Sequence, residues 1–199
     1  IRDLIVTGVQ TCALPILYPW KEGQYICIRT DVGDIGLAQR NYSISCPVQN
    51  NKFRITVKHE LAPSGVNCPE GLISSKLHSM KEGETVNLTV PCGDFYVKEP
   101  KDDSPLVFLC LGTGVTPIYP MAHFAANNYK NEIHILQGAR NEECLCLGND
   151  LLQLKENFND KVNYKTLFKS PIDSKITPTT MNFDNTWANI PHNGNYYLS

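Results

Sequence analysis

An arginine, an aromatic ring and a hydroxyl fall within four residues at Arg40-Asn41-Tyr42-Ser43. The planar guanidinium fork matches pairs of phosphate oxygens, so Arg40 can neutralise a pyrophosphate. Tyr42 can cover the face of a flat heterocycle, and Ser43 can offer a hydrogen bond at its edge. Together these groups suit a grip on a flavin dinucleotide. A second candidate is the loop Gly112-Thr113-Gly114-Val115-Thr116-Pro117. Its two glycines remove side chains where a coenzyme backbone must come close, and a helix start offers amides to a phosphate. It is not the G-x-G-x-x-G fingerprint, because Pro117 stands where the third glycine would fall. A third is Gly71-Leu72-Ile73-Ser74, just ahead of a short helical stretch whose free amides and dipole favour an anion.

Positioning these groups requires two kinds of element. From Trp20 to Asp94 the pattern is β, with strands expected over 24–30, 40–46, 53–59 and 85–90. In the third, Phe53, Ile55 and Val57 alternate with Arg54, Thr56 and Lys58. Short alternating strands between Gly, Pro, Asn and Asp clusters imply an antiparallel β-barrel, interrupted by a helix over 74–80. After the polar linker Pro100-Lys101-Asp102-Asp103-Ser104, residues 105–111 form a continuous apolar strand of the kind buried on both faces of a parallel sheet. Thr116 is expected to cap, and Pro117 to open, a helix running to about Asn127. A strand over 132–137, a helix over 147–158 and a strand over 162–168 complete a βαβαβ unit. Residues 170–194 read as connection, and 195–199 begin another strand. The fold class is thus an antiparallel β-barrel followed by a parallel-sheet α/β domain, with boundaries at 17–100 and 105–199. Strand alternation leaves one tension, since Arg40 and Tyr42 fall on one face and Ser43 on the other.

Composition narrows the function classes. A chain of 199 residues holds one large domain or two small ones, and a formal net charge of −2 gives no electrostatic case for nucleic acid or an anionic membrane. No apolar run approaches the roughly 20 residues that span a bilayer. The eight cysteines lack the paired spacing of a zinc or iron–sulfur site, so free thiols in a reducing cytoplasm, and no metal, are expected. His59 and His78 have no visible partner and are given no chemical role. Residues 6–16 (Val-Thr-Gly-Val-Gln-Thr-Cys-Ala-Leu-Pro-Ile) resemble the conceptual translation of a sequencing-library adapter rather than a signal peptide. Residues 1–16 are therefore set aside as an artefact. The natural alternative is a strand from about Asp3 to Val9.

Six motifs recur in a telling order: Gly23-Gln24-Tyr25, Arg40-Asn41-Tyr42-Ser43, Thr56-Val57-Lys58-His59-Glu60, Gly71-Leu72-Ile73-Ser74, Gly93-Asp94-Phe95 and Gly112 to Pro117. In this order, from Trp20 to Ser199, the chain resembles the ferredoxin-reductase-like family of FAD- and NAD(P)H-dependent reductases. The resemblance implies that Arg40 binds the FAD pyrophosphate, with Asn41 beside it. Tyr42 packs on the isoalloxazine and Ser43 bonds near its redox-active nitrogen. Tyr25 joins the flavin pocket, and Val57, Lys58 and Glu60 lie along the dinucleotide. Gly71, Ile73 and Ser74 meet the phosphates. Gly112, Thr113, Gly114, Val115, Thr116 and Pro117 lie beside the nicotinamide, with Tyr42, Ser43 and Thr116 nearest the chemistry. Arg140, in Gly138-Ala139-Arg140-Asn141, meets the coenzyme phosphates or ribose. Plain barrel, strand-face and turn roles remain the alternatives for Tyr25, Lys58 and Arg140.

Within the family the likeness is greatest to the reductase half of flavohemoglobins, carried by Ile35-Gly36-Leu37, residues 53–60, Ser75-Lys76-Leu77-His78 and Gly93-Asp94-Phe95-Tyr96. This implies NAD(P)H as electron donor and, as acceptor, haem in a covalently linked upstream globin domain. Nitric oxide and oxygen would then be converted to nitrate. The residues lacking at both ends, including the first barrel strands and a C-terminal Cys-Gly-Pro segment, imply a truncated piece. The rivals are a stand-alone or differently fused electron-transfer reductase, and a non-enzymatic fragment that has lost its nucleotide.

Overall fold

The structure is a computed structural model that describes residues 2–7, 19–31, 33, 36–48, 52–59, 70–169, 186 and 188–199. Alternation is the organising signal of the first half. Strand β2 (Tyr25–Asp31) buries Ile26 and Ile28 completely and turns its other residues outward. Strand β3 (Leu37–Ser43) lies antiparallel to it, with Ile28 opposite Arg40 and Ile26 opposite Tyr42. Strand β4 (Lys52–Val57) joins this sheet at its corner, through an Ile44–Ile55 bridge and the Ser45 amide donating to the Arg54 carbonyl at 2.7 Å. Helix α1 (Leu72–Ser79) closes one end by inserting Ile73 and Leu77 against Ile26, Ile28, Ile44, Ile55 and Val57.

Two expectations change here. The strand expected over 85–90 is reduced to β5 (Asn87–Leu88), paired with Arg29 and Ile28 of β2. Its ladder stops because the Thr89 hydroxyl, not a main-chain carbonyl, accepts from the Cys27 amide, and Pro91 has no N–H to donate. A single Tyr25–Cys92 bridge resumes the pairing. Residues Arg2–Thr7, set aside on sequence, form strand β1, antiparallel to β4 from Arg2 opposite Val57 to Thr7 opposite Lys52. The edge of β4 presents unpaired main-chain donors and acceptors, and an extended segment satisfies them with little demand on sequence.

The second half is a parallel sheet with strand order β8-β7-β6-β9. Its strands are β6 (Leu106–Leu111), β7 (Ile133–Ala139), β8 (Val162–Phe168) and β9 (Asn195–Leu198). The expected βαβαβ unit is present, with α2 (Val115–Asn128) and α3 (Gly148–Asn157) as its crossovers. Phe108, Ile133 and Ile135 on the sheet pack against Ile118 and Met121 of α2 and Leu151 of α3. Val107, Leu136 and Leu167 project from the opposite face toward Ile190. The chain moves outward from β6 through β7 to β8, then returns to place β9 on the other side of β6. That reversal opens a crevice at the carboxyl end of β6, the place where open α/β sheets receive ligands.

Thr116 does not cap α2. A tight 3₁₀ turn over Gly112–Gly114 precedes the helix, Gly114 is its first flanking residue, and the Thr116 hydroxyl instead donates to the Thr113 carbonyl at 2.9 Å. Pro117 therefore falls third in the helix rather than first, still among the positions whose N–H has no intrahelical partner. Most of the connection expected over 170–194 lies outside the described residues.

Candidate functional site

One cavity of about 640 Å³ lies where the two halves meet, and it gathers most of the sequence candidates. Arg40, Asn41, Tyr42 and Ser43 form one wall; Gly71, Ile73 and Ser74 form the end at α1; Thr113, Gly114, Thr116 and Pro117 form the opposite wall. Lys58 reaches it from beyond β4.

The flavin-side wall follows from strand geometry. Tyr42 is half-buried against the first-half core, opposite Ile26, while Arg40, two residues back on the same face, is exposed at the rim. Burial raises the Tyr42 phenol above its ordinary value, partly offset by the Arg40 charge, so the ring stays neutral through the physiological range. The Arg40 side chain is steadied by an Nη1 bond of 2.8 Å to the Gln39 carbonyl. Ser43 lines the same cavity, and so does Asn41, which has the same parity and lies inside β3. Residues of both parities on this strand therefore border the cavity, which removes the tension over Ser43.

At the cavity's end, α1 begins without any side-chain cap on its first amides; its flanking residue is Gly71. The Ser74 hydroxyl donates to the Gly71 carbonyl at 2.9 Å and tightens the first turn. An uncapped helix start with a partial positive charge, Arg40 on β3 and Lys58 just beyond β4 form an anion-binding concavity. The facing wall is made largely of main chain. Gly112 has φ +52, a left-handed conformation glycine adopts without strain. A Cβ on Gly114 would come within 2.5 Å of the Ser199 carbonyl oxygen, so only glycine lets α2 begin this close to the end of β9. The donor set thus fits a dinucleotide bearing a flat ring: phosphate-binding amides and cations, a neutral aromatic face and a side-chain-free approach.

Some candidates lie elsewhere. Tyr25 does not line the cavity; it packs on Gly93, where a Cβ would be 2.8 Å from its ring, and hydrogen bonding with Cys92 raises its pKa. Val57 is buried in the core, and its carbonyl accepts from His78 Nε2 at 3.0 Å. Val115 is fully buried beneath the loop, Gly112 shapes the turn from outside the cavity, and Arg140 is exposed beyond β7. Glu60 lies outside the described residues. His59 and His78, read as partnerless, stack with ring centroids 4.7 Å apart, and His59 Nε2 is 3.0 Å from the Ser75 hydroxyl.

Ala38, Thr56, Glu70, Leu72 and Ser199 line the cavity without having been singled out as site residues. Leu72 and Thr56 already stand inside quoted motifs, and a two-residue extension ahead of Arg40 and Gly71 would have added Ala38 and Glu70. Ser199 arrives only through the pairing of β9 with β6, sealed by its amide on the Leu109 carbonyl at 2.9 Å.

Comparisons with known proteins agree with this division. Residues 16–96 match the Oxidoreductase FAD-binding domain family, and residues 108–186 match the Oxidoreductase NAD-binding domain family. A flavohemoprotein of Rhodopirellula baltica is 35% identical over 164 residues, covering 80% of this chain and 39% of the relative. One from Candida albicans is 32% identical over 163 residues, covering 81% and 38%. The chain therefore spans about two fifths of the length of these relatives. Among solved structures, the FAD/NAD-binding domain of a Vibrio cholerae nitric oxide dioxygenase superposes with a TM-score of 0.79 at 24% identity, covering 98% of this chain and 79% of that one. The cytochrome b5 reductase domain of Ulva prolifera nitrate reductase gives 0.74 at 21% identity, covering 90% and 74%. At such identities these two matches speak for the fold.

Proposed function

Because the chain belongs to the ferredoxin-reductase-like FAD- and NAD(P)H-dependent oxidoreductases, we propose that it is the reductase part of a flavohemoglobin. In the intact protein, bound FAD would accept a hydride from NAD(P)H and supply single electrons to haem in a linked globin domain. There two molecules of nitric oxide and two of oxygen become two nitrate ions, with NAD(P)⁺ and one proton released. The observation that carries this reading is the shared cavity, which sets the Arg40–Ser43 wall against the Gly114–Pro117 wall.

The flavin, when bound, supplies hydride acceptance and single-electron release; the protein supplies grip, alignment and exclusion of water. Arg40, Lys58 and the α1 amides hold the dinucleotide phosphates, Tyr42 offers a neutral face to the ring, and Ser43 donates at its edge. Gly114 and Thr116 admit the nicotinamide beside that ring. No side chain has to act as a general acid or base. Tyr42, Ser43 and Thr116 serve as orienting groups against the reacting rings. No helix among the described residues is long and apolar enough to cross a membrane, and a cytoplasmic site of action accords with the free thiols. Residues 1–16 are read as adapter-derived, a reading supported by the FAD-binding match beginning at residue 16. Continuous genomic DNA encoding them would remove it.

The intact protein, loaded with FAD, should reduce an artificial dye with NADH or NADPH as donor, and comparing the two will decide coenzyme preference. Failure to retain flavin would overturn the reductase reading. Upstream genomic sequence tests the globin: an iron–sulfur or membrane domain in its place would overturn the flavohemoglobin assignment while leaving the reductase intact.

A further inference from the structure

The only ion pair among the described residues that joins the two halves runs from Arg54 on β4 to Asp150 in the first turn of α3, Nη2 to Oδ1 at 3.0 Å. Both side chains are largely shielded, at 19% and 28% exposure, so solvent screens the pair less than a surface contact. The guanidinium is held on the barrel side by the Ser45 carbonyl, which accepts from Nε at 3.1 Å and Nη2 at 2.7 Å. On the other side it lies over the Tyr119 ring of α2, 5.7 Å from its centroid. One planar cation thereby touches the strand corner after β3, helix α2 and helix α3.

The two anchors adjoin the cavity walls. Ser45 is two residues beyond Ser43, and its hydroxyl is 2.9 Å from that of Thr56, a cavity residue. Tyr119 is two residues beyond Pro117 on the facing wall. Nearby, Gly23 (φ +106) lets the halves come close, since a Cβ there would meet the Phe95 carbonyl oxygen at 2.1 Å and Met121 Sδ of α2 at 2.7 Å. A Phe95–Tyr197 edge contact of 6.5 Å adds an apolar hinge partner.

We infer that Arg54 and Asp150 form an interdomain latch that sets the spacing between the flavin wall and the nicotinamide wall, and so act as positioning residues for hydride transfer. This rests on the reductase reading for its catalytic consequence, though not for its structural one. Neither residue lines the cavity. The pair's contribution lies in the orientation of one half relative to the other, to which hydride transfer is steeply sensitive.

The test compares the FAD-loaded chain with Asp150→Ala and Asp150→Glu variants by anaerobic stopped-flow reduction with NADH. The latch predicts hydride transfer about 10-fold slower in the Ala variant, in line with the steep dependence of such reactions on alignment. FAD affinity should stay within about twofold, and the Glu variant should recover most of the rate. A second arm needs no flavin. Residual dipolar couplings from the two halves should fit one alignment tensor in the parent and require two in the Ala variant. An Ala variant with the parental rate and a single tensor overturns the proposal, as does a Glu variant as slow as Ala. If the parent takes no hydride, the reductase reading fails by itself, and the dipolar couplings alone decide the latch: a single tensor in the Ala variant overturns it.

Discussion

The two walls of the cavity recognise their ligands by different means. The wall from the antiparallel half presents side chains, Arg40, Tyr42 and Lys58, displayed by strand alternation on a small core of isoleucines and valines. The wall from the parallel half presents main chain, a glycine turn pressed against the carboxyl end of β9 and held over the larger core built on Phe108. Side chains on a strand can be exchanged without moving the strand. A backbone wall depends on everything beneath and beside it. The first half should therefore fail locally and the second globally.

The largest test of that contrast is Phe108→Ala. Phe108 is fully buried and stacks on Tyr197 with centroids 5.0 Å apart. Its loss should lower unfolding stability by about 3–5 kcal/mol in urea titrations, taking the nicotinamide wall with it. Next comes Gly114→Val, whose Cβ must displace Ser199. Hydride transfer should fall about 100-fold, the scale expected for displacement of a reacting group by about 1 Å. The affinity for FAD, measured by fluorescence titration, should barely change. Equal losses of both would show that the walls are not separable.

Arg40→Ala probes the other wall and should be smaller and purely local. Removing charged hydrogen bonds to a pyrophosphate should weaken FAD binding by about 1.5–3 kcal/mol, with the thermal midpoint of the flavin-free chain unchanged. Lysine at this position should recover part of it, because a point charge lacks the fork.

A pH dependence should arise in the parallel half as well. Burial, with nearby Cys146 adding to it, pushes the Cys110 thiol up to about 12 from its model-compound value of 9.0. The folded protein holds this proton more tightly than the unfolded chain does. That contribution is complete below pH 9 and is lost as pH rises towards 12. Urea midpoints should thus stay level with respect to this group below pH 9 and decline above it, and Cys110→Ala should flatten the decline. Half-buried Cys27, Cys92 and Cys144 should alkylate before Cys110 at pH 8.

Much of the fold was legible because local periodicity survives folding. The alternation at Phe53, Ile55 and Val57 marked the buried face of β4, and residues 162–168 matched their strand to the residue. Thr116 was misread as a cap because Ser/Thr before a helix signals one, whereas a 3₁₀ turn had already begun at Gly112. Tyr25, which the resemblance placed in the flavin pocket with a plain barrel role as its alternative, packs on Gly93 and does not line the cavity. The expected strand at 85–90 was cut short by Thr89, whose hydroxyl competed with the backbone for the Cys27 amide.

The residue types and intervals by themselves determined the antiparallel-then-parallel order, the motifs of the site and the pairing of a cation with an aromatic at Arg40 and Tyr42. These are properties of neighbours along the chain, and periodicity or short spacing encodes them. Only the tertiary structure decided that Ser43 reaches the cavity, that Ser199 closes it and that Arg54 meets Asp150 across 96 positions of sequence. Each depends on how two cores dock. Packing sets such distances between residues remote in sequence, and no local pattern carries them.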